Sequence, residues 1–312
     1  MHEFTLLQRV FARNAELPAS VIVPPGDDMA MMMLSPSHAL LAACDSAIEG
    51  VHAPMGCDAR VLGRKAVLRN LSDVAAMMNA RPIATLACVT LPRDCDDARA
   101  WQLFEGLRET AAAWGAPLIG GDVSKMSAST THAPIIASVT ILAVRIDETR
   151  AVVTRSNACV GDNIYVTGTI GGAWDAVTGL GRHLNFTPRI KVAQTLHALL
   201  GDALGAAIDV SDGLGRDLGH IATQSRVRLE IDLARVPICA GSTAREAIAH
   251  GEDYELAFTA RGEVPSEVDG VAITLVGRVV EGEPAVIALV AGESFDIAQC
   301  GYEHRTTLRG SA

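Results

Sequence analysis

Short apolar runs of strand length alternate with longer segments of helical spacing along the whole chain. In chain order, the predicted elements are a helix at 3–14, a strand at 38–44, a helix at 58–79, a strand at 83–91, a helix at 96–114, strands at 117–119, 134–146 and 163–167, helices at 173–182 and 188–200, a strand at 206–210 and a helix at 212–225. Such alternation is typical of α/β or α+β proteins, in which helices pack on sheets.

A polar, turn-rich stretch at 147–163 interrupts this alternation and ends in Val160-Gly161-Asp162. A chain of 312 residues is long enough for two domains of ordinary size. We therefore predict an N-terminal mixed-sheet domain at 1–148 and a C-terminal α/β domain at 149–312.

Acidic residues outnumber basic ones, 36 to 26, and the formal net charge is −10. Such a chain lacks the basic surface with which proteins attract nucleic acids, so we expect no nucleic-acid partner. If it binds phosphates, divalent cations held by carboxylates are the obvious source of positive charge. The charge balance therefore favours a divalent cation as the partner of any phosphate chemistry.

The seven cysteines are dispersed, and no pair has the C-x-x-C spacing of a zinc or redox site. An odd, scattered set favours reduced thiols in the cytoplasm. The first residues show no basic segment followed by an apolar one, as a signal peptide requires. No run of about 18 apolar residues exists either. We expect a cytoplasmic protein without membrane contact.

Six short motifs place carboxylates beside glycines, at strand ends or within a helix. They are Gly26-Asp27-Asp28, Asp45 with Glu49 to His52, Asn70-Leu71-Ser72-Asp73, Gly120-Gly121-Asp122, Asp209 to Leu214, and Gly251 to Leu256. Each also has a plain structural explanation, as a turn, a helix cap or a solvated face, although the carboxylate of Asp209 beside Ser211 and Asp212 favours a functional one. A Walker A motif and a G-x-S-x-G elbow are absent from the sequence, which disfavours P-loop and α/β-hydrolase folds.

Taken together and in order, the motifs resemble thiamine-monophosphate kinase, in the superfamily of aminoimidazole ribonucleotide synthetase. The matching pieces are GDD at 26–28, D-x-x-x-E-G-V-H at 45–52, LGRKA at 62–66, NLSDVAAM at 70–77, GGD at 120–122, TRS at 154–156, GDNIYVTGT at 161–169, IDVSDGL at 208–214, DLGHI at 217–221, GEDYEL at 251–256 and GYEH at 301–304. The resemblance covers nearly the whole chain, and the ordered series is far more specific than any single motif.

The resemblance implies ATP-dependent phosphorylation of thiamine monophosphate to thiamine diphosphate, with magnesium, by a homodimer whose N-terminal domains pair their sheets. The residues that match metal ligands of the family are Asp27, Asp45, Asp73, Asp122, Asp209 and Asp212, of which Asp45, Asp73, Asp209 and Asp212 are also expected to carry catalysis. The matches to ATP contacts are Gly121, Arg155 and Ser211, and those to thiamine monophosphate contacts are His52, Glu252 and Tyr302.

This interpretation is chemically consistent, because the attacking phosphate oxygen is already anionic and needs no general base. Positioning and charge neutralisation dominate phosphoryl transfer. Arg155 would add a fixed guanidinium for phosphates. Tyr302 could pack on the cationic thiamine rings.

The chain departs from the family pattern next to two of these residues. Ala43 and Cys44 precede Asp45 where the family usually has Ser or Thr, and Ala53 replaces an aromatic residue after His52. Two alternatives therefore stay open. One is a related ATP-using enzyme with a different acceptor, and the other is a paralogue that binds thiamine phosphates or nucleotide without turnover.

Overall fold

The computed structural model describes residues 3–127, 133–290 and 293–303. Helices and strands alternate around two separate sheets, which confirms the predicted mixed α/β class. His304, the last residue of the GYEH match, lies outside the described residues. Within the described ranges, no helix combines the length and the apolar character needed to cross a bilayer.

The first sheet has six strands in the order β1-β2-β3-β6-β4-β5. Their bounds are β1 Val21–Val23, β2 Ala30–Ser35, β3 His38–Ile48, β4 Ala80–Leu91, β5 Leu118–Lys125 and β6 Ile136–Arg145. All neighbours are antiparallel except β4 and β5. These two are parallel because helix α3 (Asp97–Ala113) connects them as a crossover.

Helices α2 (Ala59–Ala76) and α3 pack closely against each other. Asp58 caps α2 by accepting the N–H of Arg60 at 2.8 Å. A Cβ on Gly63 would lie 2.3 Å from the carbonyl oxygen of Leu103, and one on Gly106 would lie 2.1 Å from that of Arg60. Only glycine permits this approach of the two backbones.

The second sheet follows the order β14-β13-β9-β12-β7-β10-β8, with β11 paired to β12. Its strands are β7 Asn163–Thr167, β8 Leu204–Asp209, β9 Arg228–Asp232, β10 Leu256–Ala260, β11 Glu267–Val268, β12 Val271–Val280, β13 Ala285–Val290 and β14 Glu293–Asp296. The remaining α-helices are α1 Glu3–Phe11, α4 Ile190–Leu200, α5 Leu214–Ser225 and α6 Ala244–Ala249. As the periodicity predicts, Leu214, Leu218 and Ile221 of α5 are fully buried.

Helix α2 lies between the two sheets. It contacts β3 and β6 of the first sheet, and β8 and α4 of the second part of the chain. The last strand of the first sheet ends at Arg145, and the second sheet begins at Asn163. The division at residues 148 and 149 stays a prediction, but α2 contacts elements of both halves.

Three predicted elements differ in the structure. Strand β3 continues through Asp45 to Ile48, because β6 pairs with it along residues 41–48. Strand β5 likewise continues through Gly120-Gly121-Asp122 to Lys125, paired with β4.

The helix predicted at 173–182 is wrong, since this segment forms turns. Asp175 accepts the backbone N–H of Thr178 at 2.7 Å. Gly179 adopts a positive φ of 66°, which ends any helical path. Tight turns formed by Asp and Gly override the apolar spacing that suggested a helix.

Candidate active site

Three carboxylates from distant parts of the sequence meet where the two halves of the chain join. Asp28 follows β1, Asp73 lies on α2 and Asp209 ends β8, and one oxygen of each lies within 4.8 Å of the others. Asp28 and Asp209 are buried. We call Asp28, Asp73 and Asp209 the carboxylate cluster.

The carboxylate cluster carries more negative charge than its neighbours balance. The guanidinium of Arg155 contacts Asp28 with two hydrogen bonds, Nη2 to Oδ1 at 2.7 Å and Nε to Oδ2 at 3.2 Å. Burial and the charge of Asp28 raise the pKa of Asp209 to about 7. Burial and the charges of Asp45 and Asp209 raise the pKa of Asp73 well above its usual range. Hard carboxylate oxygens so arranged fit a divalent cation such as Mg²⁺.

The Asn-Leu-Ser-Asp motif of α2 supports the site with each of its polar residues. The side-chain oxygen of Asn70 accepts the backbone N–H of Asp45 at 3.2 Å, and the hydroxyl of Ser72 donates to Asp209 at 2.6 Å. Arg69, just before the motif, donates from Nε to Asp45 at 3.3 Å. The motif therefore fixes Asp45 and Asp209 relative to Asp73.

Asp27 lies beside the carboxylate cluster. It accepts the backbone N–H of Arg155 at 3.0 Å. Burial and the neighbouring Asp28 raise its pKa to about 6.

Asp212 belongs to a second acidic group with Asp217 and His220. Burial and the charge of Glu3 raise the pKa of Asp212 to about 6. It does not cap α5 with its side chain, because Gly213 occupies the cap position. Asp217 instead accepts the backbone N–H groups of Asp212 and Gly213 at 3.1 and 3.0 Å, which fixes the loop between β8 and α5.

Gly121 and Asp122 lie on the edge strand β5, away from the carboxylate cluster. Gly121 is in register with Asp45 across the two intervening strands β4 and β6. Three strand spacings separate them by about 14 Å. Asp122 is in register with Cys88 and Ser46, on the opposite face of the sheet. Within one chain, the structure therefore does not bring Asp122 to the other predicted metal ligands.

A cavity of about 480 Å³ lies beside the carboxylate cluster. Its lining includes all three residues predicted to contact thiamine monophosphate, His52, Glu252 and Tyr302. It also includes Ser211, Asp212, Arg69 and the aromatic rings of Trp174 and His250. The rings of Trp174 and His250 lie 5.9 Å apart. The backbone N–H of Tyr302 donates to the carbonyl of Asp212 at 2.8 Å. We call this space the Trp174 cavity.

Sequence reasoning missed five residues that shape this region: Asp28, Lys65, Arg69, Trp174 and His183. Asp28 could have been found as the neighbour of Asp27, and Lys65 as part of the LGRKA match. Trp174 and His183 stand in segments without a recognised motif. Sequence alone gave no signal that Arg69 points to Asp45.

Comparisons with known proteins agree with this geometry. Residues 26–145 match the family model described as AIR synthase related protein, N-terminal domain. The chain is 32% identical over 310 residues to a thiamine-monophosphate kinase of Haemophilus influenzae, covering 90% of each sequence. It is 33% identical over 335 residues to a thiamine-monophosphate kinase of Escherichia coli K12, covering 98% of each. A solved structure of AaThiL complexed with AMPPCP and TMP superposes with a TM-score of 0.75 at 26% identity, covering 95% of this chain and 96% of that one.

Proposed function

The chain belongs to the thiamine-monophosphate kinase family, and we propose that it transfers the γ-phosphoryl group of ATP to thiamine monophosphate, giving thiamine diphosphate and ADP. Relatives of that name match it over nearly their full length. A structural neighbour carries both AMPPCP and TMP. These matches favour this reaction over a different acceptor or a binding-only role.

The observation that carries the proposal is the junction of the Trp174 cavity with the carboxylate cluster. Ser211 and Asp212 line the cavity, and Asp209, two residues earlier, belongs to the cluster. Arg69 also lines the cavity while it binds Asp45. An acceptor held in the cavity therefore presents its phosphate where the cluster handles the phosphates of the donor.

In the reaction, a phosphate oxygen of thiamine monophosphate attacks the γ-phosphorus of ATP. The new P–O bond forms as the bond from the γ-phosphorus to the β,γ-bridging oxygen breaks, and ADP leaves with that electron pair. Since the nucleophile is already anionic, no side chain has to remove a proton. The protein has to align two polyanions and lower their repulsion. Arg69 is placed to do so for the acceptor phosphate.

Magnesium is the cofactor that these carboxylates fit best. The carboxylate cluster would hold it, with Asp27, Asp45 and Asp212 at its rim. Burial and neighbouring carboxylates raise the pKa values of Asp73 and Asp209 in the cluster and of Asp27 and Asp212 beside it. Bound Mg²⁺ would neutralise charge on the phosphates and orient them. The residues of the protein hold this arrangement rigid, since Ser72 and Asn70 position Asp209 and Asp45 by hydrogen bonds.

The Trp174 cavity suits the cationic rings of thiamine monophosphate. Glu252 presents a carboxylate that is one-fifth exposed. Trp174 and Tyr302 present partly exposed aromatic faces, 38% and 47% accessible. Aromatic faces attract cations and stack on heterocycles. His52, Glu252 and Tyr302 are therefore proposed as acceptor contacts, with Trp174 as a fourth.

Of the proposed ATP contacts, Arg155 and Ser211 lie next to the carboxylate cluster. Gly121 has a separate structural reason to be glycine, because a Cβ there would lie 1.8 Å from the carbonyl oxygen of Ala87. Its role toward ATP, like that of Asp122 toward magnesium, requires a ligand or a second subunit to bridge the distance across the sheet.

We also infer a cytoplasmic homodimer that pairs the first sheets of two subunits. The face of that sheet opposite α2 carries the exposed residues Cys44, Cys88 and Asp122, and the edge strand exposes Ile119 and Val123 at 62% and 53%. Apolar side chains on an open edge favour covering by a partner. Light scattering after size exclusion measures the mass, and a monomer at micromolar concentration would contradict this part of the proposal.

The experiment that tests the reaction is product formation from thiamine monophosphate and ATP, with Mg²⁺ and with chelator. Equal amounts of thiamine diphosphate and ADP, formed only with the metal, are expected. ADP without thiamine diphosphate would indicate another acceptor, or hydrolysis. Binding of thiamine monophosphate with neither product would indicate the binding-only paralogue.

A further inference from the structure

Lys65 is a fully buried lysine on the side of α2 that faces the Trp174 cavity. A buried ammonium is costly unless every N–H group finds an acceptor. Lys65 has three donors, and Nζ contacts three polar groups: the carbonyl oxygen of His52 at 2.5 Å, Nδ1 of His183 at 2.6 Å, and the carboxylate of Glu252. The ammonium is therefore held by groups of the protein.

The three partners come from three separate segments. His52 belongs to the turn after β3, His183 to a 3₁₀ turn at Arg182–Leu184, and Glu252 to the segment before β10. All three also line the Trp174 cavity. Lys65 itself does not line the cavity, so its ammonium can affect the cavity only through these three residues.

The network holds the side chains of His183 and Glu252 in one orientation. Nε2 of His183 lies 3.1 Å from the carbonyl oxygen of Gly179 and donates to it, while Nδ1 lies 2.6 Å from Nζ of Lys65 and 2.9 Å from a carboxylate oxygen of Glu252. Burial alone would raise the pKa of Glu252, but its contact with His183 and the charge of Lys65 lower it to about 2. The hydroxyl of Tyr254 donates to the other carboxylate oxygen at 3.3 Å.

The backbone around Glu252 shows that this placement is imposed by its contacts. Glu252 and Tyr254 both adopt positive φ, 73° and 52°, which costs energy for residues other than glycine. Tyr254 is held by stacking on Phe186 at 3.9 Å. The ammonium of Lys65 ties this strained segment to α2 by a direct contact with the carboxylate of Glu252.

We propose that Lys65 is a positioning residue of the acceptor site, whose buried ammonium holds Glu252 and the His52 turn in the geometry that accepts the rings of thiamine monophosphate. The inference rests on the proposed function. Lys65 would act on acceptor binding through Glu252, without touching the substrate and without affecting the binding of ATP.

The test compares Lys65→Met with Glu252→Gln and the double variant, by steady-state kinetics for both substrates. Because a displaced wall misplaces the acceptor, Lys65→Met is expected to raise the KM for thiamine monophosphate about tenfold to 100-fold, with the KM for ATP within about twofold. If Lys65 acts through Glu252, the KM for thiamine monophosphate should rise about as much in the double variant as in the more affected single variant. Lys191→Met removes an exposed lysine and serves as the matched control.

Wild-type turnover in the same assay separates this inference from the proposed function. If the wild type forms thiamine diphosphate but Lys65→Met leaves the acceptor KM unchanged, or raises both KM values equally, the positioning role is wrong. The proposal would also be overturned if the rises in acceptor KM of the two single variants multiplied in the double variant. If the melting curve shows that Lys65→Met does not fold, the double variant is measured instead, because it does not leave the carboxylate of Glu252 buried without a partner. A normal KM for thiamine monophosphate in the double variant would then overturn the proposal.

Discussion

The carboxylate cluster and the Lys65 network each include a residue of helix α2, Asp73 and Lys65, which lie about two turns apart. The two groups nevertheless balance charge in opposite ways. At the cluster, three carboxylates lie together, and the guanidinium of Arg155 pairs directly with Asp28. At Lys65, one ammonium meets one carboxylate, together with a backbone carbonyl oxygen and a ring nitrogen of His183. The first is incomplete without a cation from outside, and the second is complete within the protein.

This difference separates binding of the metal-dependent donor from binding of the acceptor. A region with excess buried carboxylate is destabilised until a cation binds, because like charges at close range repel strongly in a low-dielectric site. A balanced region is formed before any ligand arrives, so it can select the shape and charge of an organic cation. Changes at the cluster should abolish turnover, whereas changes around the cavity should weaken acceptor binding.

The largest effect is expected from Asp209→Asn. The amide keeps the size of the side chain but removes a charge from the carboxylate cluster, so kcat should fall by about 1,000-fold or more at saturating Mg²⁺. The metal-free protein should melt at the same or a higher temperature, since a repelled carboxylate is gone. Steady-state kinetics and calorimetry measure both quantities.

Asp94→Asn is the matched control, because Asp94 is exposed on the loop before α3. It should leave both quantities unchanged. Near-normal kcat in Asp209→Asn would mean that phosphates are not bound at the carboxylate cluster. The proposed division between a metal-dependent donor region and an acceptor region would then be wrong.

The second prediction concerns pH and metal removal. The folded-state pKa values are raised, to about 7 for Asp209 and about 6 for Asp27 and Asp212, above the ordinary aspartate value of 3.8. The metal-free fold therefore binds more protons than the unfolded chain. The stability this contributes is fully present below pH 3.8 and is lost as the pH rises through 6 to 7.

With chelator, the melting temperature should therefore fall between pH 5.5 and pH 8, apart from other titrating groups. Mg²⁺ must displace these protons, so its affinity should rise at least about tenfold over the same interval. Titration calorimetry in buffers of different ionisation enthalpy detects the released protons. Affinity independent of pH would place the ion away from these carboxylates.

Trp174→Ala addresses the other region and should have an intermediate effect. Loss of one aromatic face should raise the KM for thiamine monophosphate about tenfold, while the KM for ATP changes little. Trp101→Ala removes a tryptophan that is 66% exposed on α3 and provides the control. An equal rise in both KM values would show that the cavity does not distinguish acceptor from donor.

The sequence predicted the fold class and most elements because apolar periodicity records which face of each element is buried. The stripe of Leu214, Leu218 and Ile221 is an example, since all three lie in the core. The length of each element was harder to predict. Strand β3 continues past Asp45 only because β6 pairs with it, and pairing between residues about 90 positions apart leaves no local signal.

The site divides in the same way. Ordered motifs pointed to Asp73 and Asp209, and these meet as expected of neighbours in one centre. Strand register, which the motifs do not encode, decides that Asp122 faces away from Asp45. Lys65 could not be distinguished from a surface lysine, because its burial depends on acceptors from three distant segments. The assignments to ligands stay predictions until they are measured.

The smallest effect is expected at Cys44, where the family usually has a hydroxyl residue. Alternate residues of a strand face opposite sides, and Cys44 is exposed on the face away from α2 while Asp45 points toward Arg69. Cys44→Ser should therefore change kcat by less than about twofold, since a solvent-facing swap of similar size seldom matters. Ala43→Ser is the informative comparison, because Ala43 shares the inner face with Asp45 and is buried. If Cys44→Ser instead raised kcat several-fold, the outer face of the sheet would have to communicate with the carboxylate cluster, and a partner subunit packed on that face would be the physical route.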